Sequence, residues 1–392
     1  MNDQSKHLIG GTPVDLSNWR IPPYSTWAFQ NIKALMPAQE ILNDPDNVQL
    51  LPSKNNTFDG LRIKTGQDAY SGLIPFLEET ATDSFVVMLN GNILYEYYDH
   101  GMQPQTLHTL MSVSKSILGI IAGILYSKGI LDVEALVTDY YPELAITAYA
   151  GATIRNLLDM RTGITLNEEQ LSRYNIASNW APSNNHEKPQ TFDQFFTTLP
   201  AEHTAHGGSF NYFSPNADLL GLLIERVTNK KFSTLASELL WKPMGAEDGA
   251  YITTDRAGAA RCTGGICANT RDMARIGSLI LQKRQRDGVS IVTEEWLNDL
   301  IEGGSSEAWN TGPWAAGFGM NMRYRSGWYV IDDHPKMIFA LGNHGQHIFV
   351  DTENKLVIAK TSSQEQLVDV VALQKTFSAV AAIRQYLLFP ST

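Results

Sequence analysis

An α/β unit with an all-helical insertion is the fold class this sequence predicts, and three observations predict it. Strand-like segments lie near both ends of the chain, from Phe85 to Tyr98 and again from Gly327 to Ser363. The middle, from Ser112 to Gly245, carries its apolar residues at helical spacing. A final helical segment, roughly Val368 to Leu387, closes the chain. Strands, helices, strands and helix in that order fit one antiparallel sheet, shared by both chain ends and flanked by helices, with a helical layer inserted between. The expected division is 1–111 for an N-terminal arm and the first strands, 112–255 for the mainly helical part, and 256–392 for the rest of the α/β part.

The first seventy residues are rich in Pro, Asn and Asp and read as an irregular arm over the body. "FVVMLNGNILYEYY" is two β-rich runs around Asn90-Gly91, a dipeptide suited to a tight hairpin. From Ser112 to about Ser127 the apolar residues crowd almost all round a helix, which marks it as central and buried. Lys128-Gly129 ends it. Thr153 to Ile164 reads as a helix, and Asn216 to Gly245 as two. Gly264 to Leu281 reads as another. "HIFVDTENKLVIAKTS" reads as a hairpin with Asp351 to Asn354 at its turn.

The chain has 392 residues, 43% of them hydrophobic, with 41 acids against 30 bases and a net charge of −11. That is enough for a sizeable core. The acidic balance disfavours nucleic acid and anionic membrane as partners. "ILGIIAGILY" is only half of the roughly 20 apolar residues needed to span a bilayer. The N-terminus has no signal-peptide pattern, so a cytoplasmic location is the expectation. Cys262 and Cys267 are too few for a disulfide framework and read as reduced structural thiols. No metal or cofactor is expected. His203 and His206 lack a ligand set at zinc spacing and read as surface residues. Asn55-Asn56-Thr57 matches a glycosylation sequon that a cytoplasmic protein would not use.

The chemistry gathers at Ser112-Val113-Ser114-Lys115. Residues i and i+3 at a helix start lie on one face, so Ser112 and Lys115 can touch. A serine hydroxyl is a poor nucleophile until a base takes its proton. Lysine can be that base once burial lowers its pKa. Backbone N–H groups at the helix start can hold a developing oxyanion. Taken alone, the tetrapeptide fits an N-capping Ser112 with a snorkelling Lys115 better than a catalytic pair.

About a hundred residues on comes "GSFNYFSPNADLLGLLIERVT". Here the chain resembles the serine β-lactamase/DD-peptidase superfamily: cephalosporinases, DD-peptidases, family VIII carboxylesterases and 6-aminohexanoate-dimer (nylon oligomer) hydrolases. These share S-x-x-K, then a Y-x-N-type motif before an apolar helix. Tyr212-Phe213-Ser214 is similar to that motif, with serine in place of asparagine. "ATIRNLLDMRTGI" and "GGICANTRDMARIG" are similar to two further family segments. The third motif, a Lys-Thr-Gly strand in β-lactamases, is represented by His344-Gly345-Gln346. That departure counts against β-lactam chemistry, and the pattern resembles the 6-aminohexanoate-dimer hydrolase branch most closely. The resemblance runs from about residue 75 to the end and implies a β-lactamase/transpeptidase-like fold.

It also implies roles. Ser112 would be the nucleophile, Lys115 its general base and Tyr212 the proton relay to the leaving group. The oxyanion would sit on the backbone N–H of Ser112 and of His347. Tyr174, Trp180, Ser214, Thr263 and His344 are candidate substrate contacts, while a hydrogen-bonded structural role for His344 stays open. The loop from Leu166 to Glu187 would form a cleft wall, with no clear acidic residue for a substrate amine. No G-x-S-x-G elbow surrounds any serine, which argues against a Ser-His-Asp hydrolase of that fold. The reading is a cofactor-free serine hydrolase for small-molecule short-chain esters and small linear amides, with a homodimer allowed. The rivals are a β-lactamase or DD-peptidase, and a non-catalytic binding or sensor protein of the same fold.

Overall fold

In the computed structural model, which describes residues 7–67, 69–183, 189–201, 205–281, 285–286, 289–318, 322–333 and 335–388, Asn90 and Gly91 take φ of 51° and 78°. Those positive values are what a two-residue hairpin turn needs. The principal strands in chain order are β1 (Ala38–Ile41), β2 (Thr82–Leu89), β3 (Asn92–Tyr98), β4 (His108–Thr109), β5 (Ala250–Thr253), β6 (Ile266–Ala268), β7 (Met322–Arg325), β8 (Trp328–Ile331), β9 (Met337–Gly342), β10 (Gln346–Asp351) and β11 (Leu356–Ser362). The principal helices are α1 (Val113–Ser127), α2 (Ile154–Leu158), α3 (Glu168–Ala177), α4 (Phe192–Thr197), α5 (Pro215–Thr228), α6 (Thr270–Leu281) and α7 (Val370–Leu388).

One seven-stranded sheet runs β7-β8-β9-β10-β11-β2-β3. Every pairing in it is antiparallel. Both ends of the chain therefore build the same sheet, with β2 beside β11. A four-stranded sheet, β1-β5-β6-β4, draws a strand from the N-terminal arm as well. The junctions expected at 111/112 and 255/256 fall between β4 and α1, and just after β5. Among the described residues no helix is long and apolar enough to cross a membrane.

Successive strand residues point to opposite faces, and β10 shows both faces covered. Ile348 lies under Gly277 of α6, where a Cβ would come within 2.9 Å of it. Phe349, the next residue, meets Phe377 of α7 with ring centroids 5.4 Å apart. Helix α1 lies on the α6 side. Its Ser116 hydroxyl donates to the Gly327 carbonyl at 2.6 Å, and the Trp328 indole donates back to the Ser116 carbonyl at 3.1 Å. A Cβ on Gly119 would stand 1.8 Å from the Ser326 carbonyl oxygen. The β7–β8 turn thus clamps α1 through contacts that only a glycine there permits.

Several boundaries differ from expectation. The helix expected over 153–164 stops at Leu158, because Met160 takes a left-handed φ of 55°. Residues 266–268 form β6 before α6 begins at Thr270. The presumed wall loop contains α3, started by a capping box between Asn167 and Gln170. A local side chain–backbone exchange of that kind is strong enough to begin a helix in a polar stretch. The far end of that segment, including Glu187, lies outside the described residues, as does His203. Cys262 and Cys267 are free, buried thiols.

Candidate active site

Ser112 opens α1 at the N-cap position, yet its hydroxyl makes no capping bond. Lys115 Nζ lies 2.8 Å from Ser112 Oγ and donates to the Thr263 carbonyl, also at 2.8 Å. Lys115 is 2% exposed, so it does not snorkel, whereas Ser112 stays half-buried and reachable. The residue before the serine, Met111, takes φ of 45°. That left-handed conformation costs a non-glycine residue about 1 kcal/mol, and it presents the serine at the helix start.

Burial pushes the Lys115 amine well below the ordinary lysine range; Asp218 pulls it up and Arg261 down, both less strongly. A neutral lysine beside a serine oxygen can accept the serine's proton. Tyr212 sits beneath the amine, with Nζ 4.9 Å from its ring centroid. Burial raises its phenol above the ordinary tyrosine value, and the neighbouring Ser112 hydroxyl pulls it back only in part. Tyr212 is therefore a neutral phenol able to donate a proton. A second buried serine–lysine contact, Ser362 with Lys360, lies inside the sheet with both residues 0% exposed. Burial brings Lys360 down to about 7, but no substrate can reach that pair.

The candidate contacts are placed differently from one another. Thr263 is at the site as a tie. Its carbonyl holds Lys115, its N–H donates to Asp218 at 2.8 Å, and its hydroxyl donates to the Ser214 carbonyl at 2.5 Å. Ser214 is the N-cap residue of α5 and stays half-buried. Tyr174 is 2% exposed, and its hydroxyl donates to Asp218 at 2.5 Å and accepts from Arg261 at 2.6 Å. It supports the floor of the site instead of meeting substrate. Trp180 is also buried, with the Arg261 guanidinium 4.5 Å from its ring centroid and Trp19 packed edge-on. It is wall packing.

His344 is 1% exposed, bonds the Gln364 carbonyl through Nδ1 at 2.7 Å and lies against Phe29. That makes it a turn-holding residue, not a substrate contact. His347 cannot supply an oxyanion donor, because it pairs with Leu341 of β9 on one side and Lys360 of β11 on the other. Its N–H is consumed by the ladder. His206 is not a free surface residue: its two ring nitrogens meet the Thr162 and Ala150 carbonyls at 2.8 and 3.0 Å.

Sequence reasoning missed Asp218 and Arg261, a buried ion pair 0% and 3% exposed at the side chain. Asp218 was detectable in principle as a charge inside the apolar run of α5. Arg261 lies more than forty residues away, and nothing local announces the pairing. Their removal gives a prediction. Asp218→Asn leaves the Arg261 charge buried and unpaired, which should cost about 3–5 kcal/mol in denaturant unfolding. It also removes the group that raises the Lys115 pKa, so the acid limb of the pH–rate profile should move to lower pH. A limb that moved upward would contradict this electrostatic assignment.

Known proteins of one family are similar to this chain in sequence and fold. The β-lactamase family model matches residues 75–383. A 6-aminohexanoate-dimer hydrolase of Paenarthrobacter ureafaciens is 31% identical over 359 residues, covering 90% of this chain and 88% of the relative. A Bacillus anthracis structure, named as a candidate 6-aminohexanoate-dimer hydrolase, superposes with a TM-score of 0.87 at 26% identity, covering 95% of this chain and 97% of that one. A family VIII carboxylesterase shares the fold at TM-score 0.57 and 17% identity, over 79% of this chain and 95% of its own.

Proposed function

We propose that this chain, which belongs to the β-lactamase family, is a serine hydrolase that cleaves short-chain carboxylic esters, and small linear amides more slowly, through an acyl-enzyme on Ser112. The observation that carries the reading is the 2.8 Å contact between Ser112 Oγ and a fully desolvated Lys115 amine. Lys115 takes the proton as Oγ attacks the substrate carbonyl carbon. The tetrahedral oxyanion rests on the Ser112 N–H and on a second backbone donor. We assign that donor to the Gly342–Asn343 junction, because the end of β9 packs against the residues that lead into the serine. A Cβ on Gly342 would stand 2.7 Å from the Leu110 carbonyl oxygen.

Collapse of the intermediate breaks the bond to the leaving group. Tyr212 donates its proton to that group and is replenished from the lysine. Water then attacks the acyl carbon, with the same base taking its proton; the bond to Oγ breaks, the base returns that proton to Ser112, and the acid is freed. A fluorophosphonate label on the serine and turnover of nitrophenyl esters test the reading directly.

The relatedness to a 6-aminohexanoate-dimer hydrolase favours a second reading, in which a linear amide is the main substrate. Tyr212→Phe separates the two. An amine must be protonated as it leaves, whereas an activated phenoxide need not be. The variant should lose about 10²–10³-fold in kcat/KM on the 6-aminohexanoate dimer and under tenfold on nitrophenyl butyrate. Equal losses would place Tyr212 in activating Ser112 instead. A wild-type enzyme faster on the dimer than on the ester would install the second reading.

A further inference from the structure

A groove of about 270 Å³ lies between the turn at Pro313–Phe318 and the first turns of α7. Val370, Leu373, Gln374 and Phe377 line one side. Their spacing of i, i+3, i+4 and i+7 puts them on one helix face. Trp314 and Phe318 line the other side as a stacked pair, with centroids 5.6 Å apart. Among the described residues, none that lines the groove is charged. Val370 is 49% exposed, so the fold leaves this apolar surface open to solvent. Open, aromatic-walled, concave apolar surface is the usual form of a small-molecule subsite.

The groove adjoins the catalytic residues through one ring. The Trp314 indole packs on Tyr212 with centroids 5.0 Å apart and planes tilted by 33°. We infer that this groove is a subsite for the alkyl chain on the alcohol side of an ester substrate, so that esters of medium-chain alcohols are preferred. The inference rests on the proposed role of Tyr212. A chain attached to the oxygen that Tyr212 protonates must run past that phenol, and the surface it meets is Trp314. The acyl carbon is held on Ser112 Oγ meanwhile. The described lining residues, all uncharged, offer no partner for the charged end of an amino-acid chain.

The test is kcat/KM for ethyl, butyl and hexyl acetate on wild type, Val370→Asp and Leu373→Trp. The first substitution puts a charge on the groove wall at an exposed helix start, a position where aspartate is tolerated. The second fills the groove. Wild-type kcat/KM should rise about two- to fourfold per methylene, through KM. In both variants the hexyl-to-ethyl ratio should fall towards one. The matching acyl series, nitrophenyl acetate to hexanoate, should keep its wild-type ratios. A flat wild-type alcohol series overturns the inference, and so do variants that flatten the acyl series instead.

Binding of 1-hexanol to Ser112→Ala protein, followed by tryptophan fluorescence, separates this inference from the reading beneath it. If esters turn over but hexanol does not bind, the groove assignment is wrong and the hydrolase stands. If hexanol binds, with binding lost in Val370→Asp, but no ester is cleaved, the hydrolase reading fails and the alcohol-side assignment falls with it.

Discussion

Ser112→Ala is expected to abolish fluorophosphonate labelling and to cut ester turnover by at least about 10³-fold, because the proposed acyl intermediate forms on its hydroxyl. The neighbouring serine supplies the control. Ser114 is 0% exposed, and its hydroxyl accepts from the Ile266 N–H at 3.2 Å. It is a strut between α1 and β6. Ser114→Ala should keep labelling intact and cost about 1 kcal/mol of stability for the lost bond. Labelling that survives Ser112→Ala but disappears in Ser114→Ala would shift the whole assignment by two residues. Circular dichroism of Ser112→Ala should match wild type, since its hydroxyl caps nothing, and the lost contact to Lys115 should cost no more than about 1 kcal/mol of stability.

Lys115 carries the second large effect, in which activity and stability should move in opposite directions. Lys115→Arg cannot accept a proton near neutral pH. Lys115→Met cannot accept one at all. Each should lose about 10²–10⁴-fold in kcat/KM, the range of a missing general base. The stability consequence follows from the sign of the pKa shift. The unfolded chain holds this lysine protonated below about pH 10.4, while the folded protein holds the amine well below that range. Between the two values folding releases a proton, so stability rises with pH across that window. Below the folded pKa the penalty is present in full.

Lys115→Met removes the penalty. It should raise stability at neutral pH by about 1 kcal/mol, net of the lost bond to the Thr263 carbonyl, and flatten the pH dependence. Activity in the wild type should fall on the acid side as Lys115 becomes protonated. Thermal unfolding from pH 6 to 9 beside kcat/KM measurements checks both. A Lys115→Arg enzyme with near-wild-type turnover would make the residue a structural cation.

The legible parts of the molecule are those in which one short segment carries its own physics. Asn90-Gly91 specifies a hairpin because few other dipeptides accept two positive φ angles, and it is found at that turn. The all-round apolar face of residues 113–127 specifies a buried helix, and that helix is central. Ser112 and Lys115 are one helical turn apart, so their contact is a local matter. The errors fall where a distant segment decides. His347 fits an oxyanion donor by motif position, but strand pairing on both sides takes its N–H. Tyr174 fits a substrate contact by family position, but Asp218 and Arg261 claim its hydroxyl.

By itself, then, the sequence determined the order of elements, the sheet shared by both chain ends, and the serine–lysine pair at the start of a buried helix. These follow from side-chain periodicity and from contacts three residues apart, which exist wherever the helix forms. Only the tertiary structure decided what surrounds that pair. The Thr263 carbonyl reaches the lysine from 148 residues away, and the Asp218–Arg261 pair sets the field around it. The tertiary structure also sets the end of β9 beside the approach to Ser112 and opens the groove next to Trp314. Such contacts depend on how separate elements dock, and docking is settled by the packing of whole faces. No stretch of the chain short enough to carry a pattern contains that information.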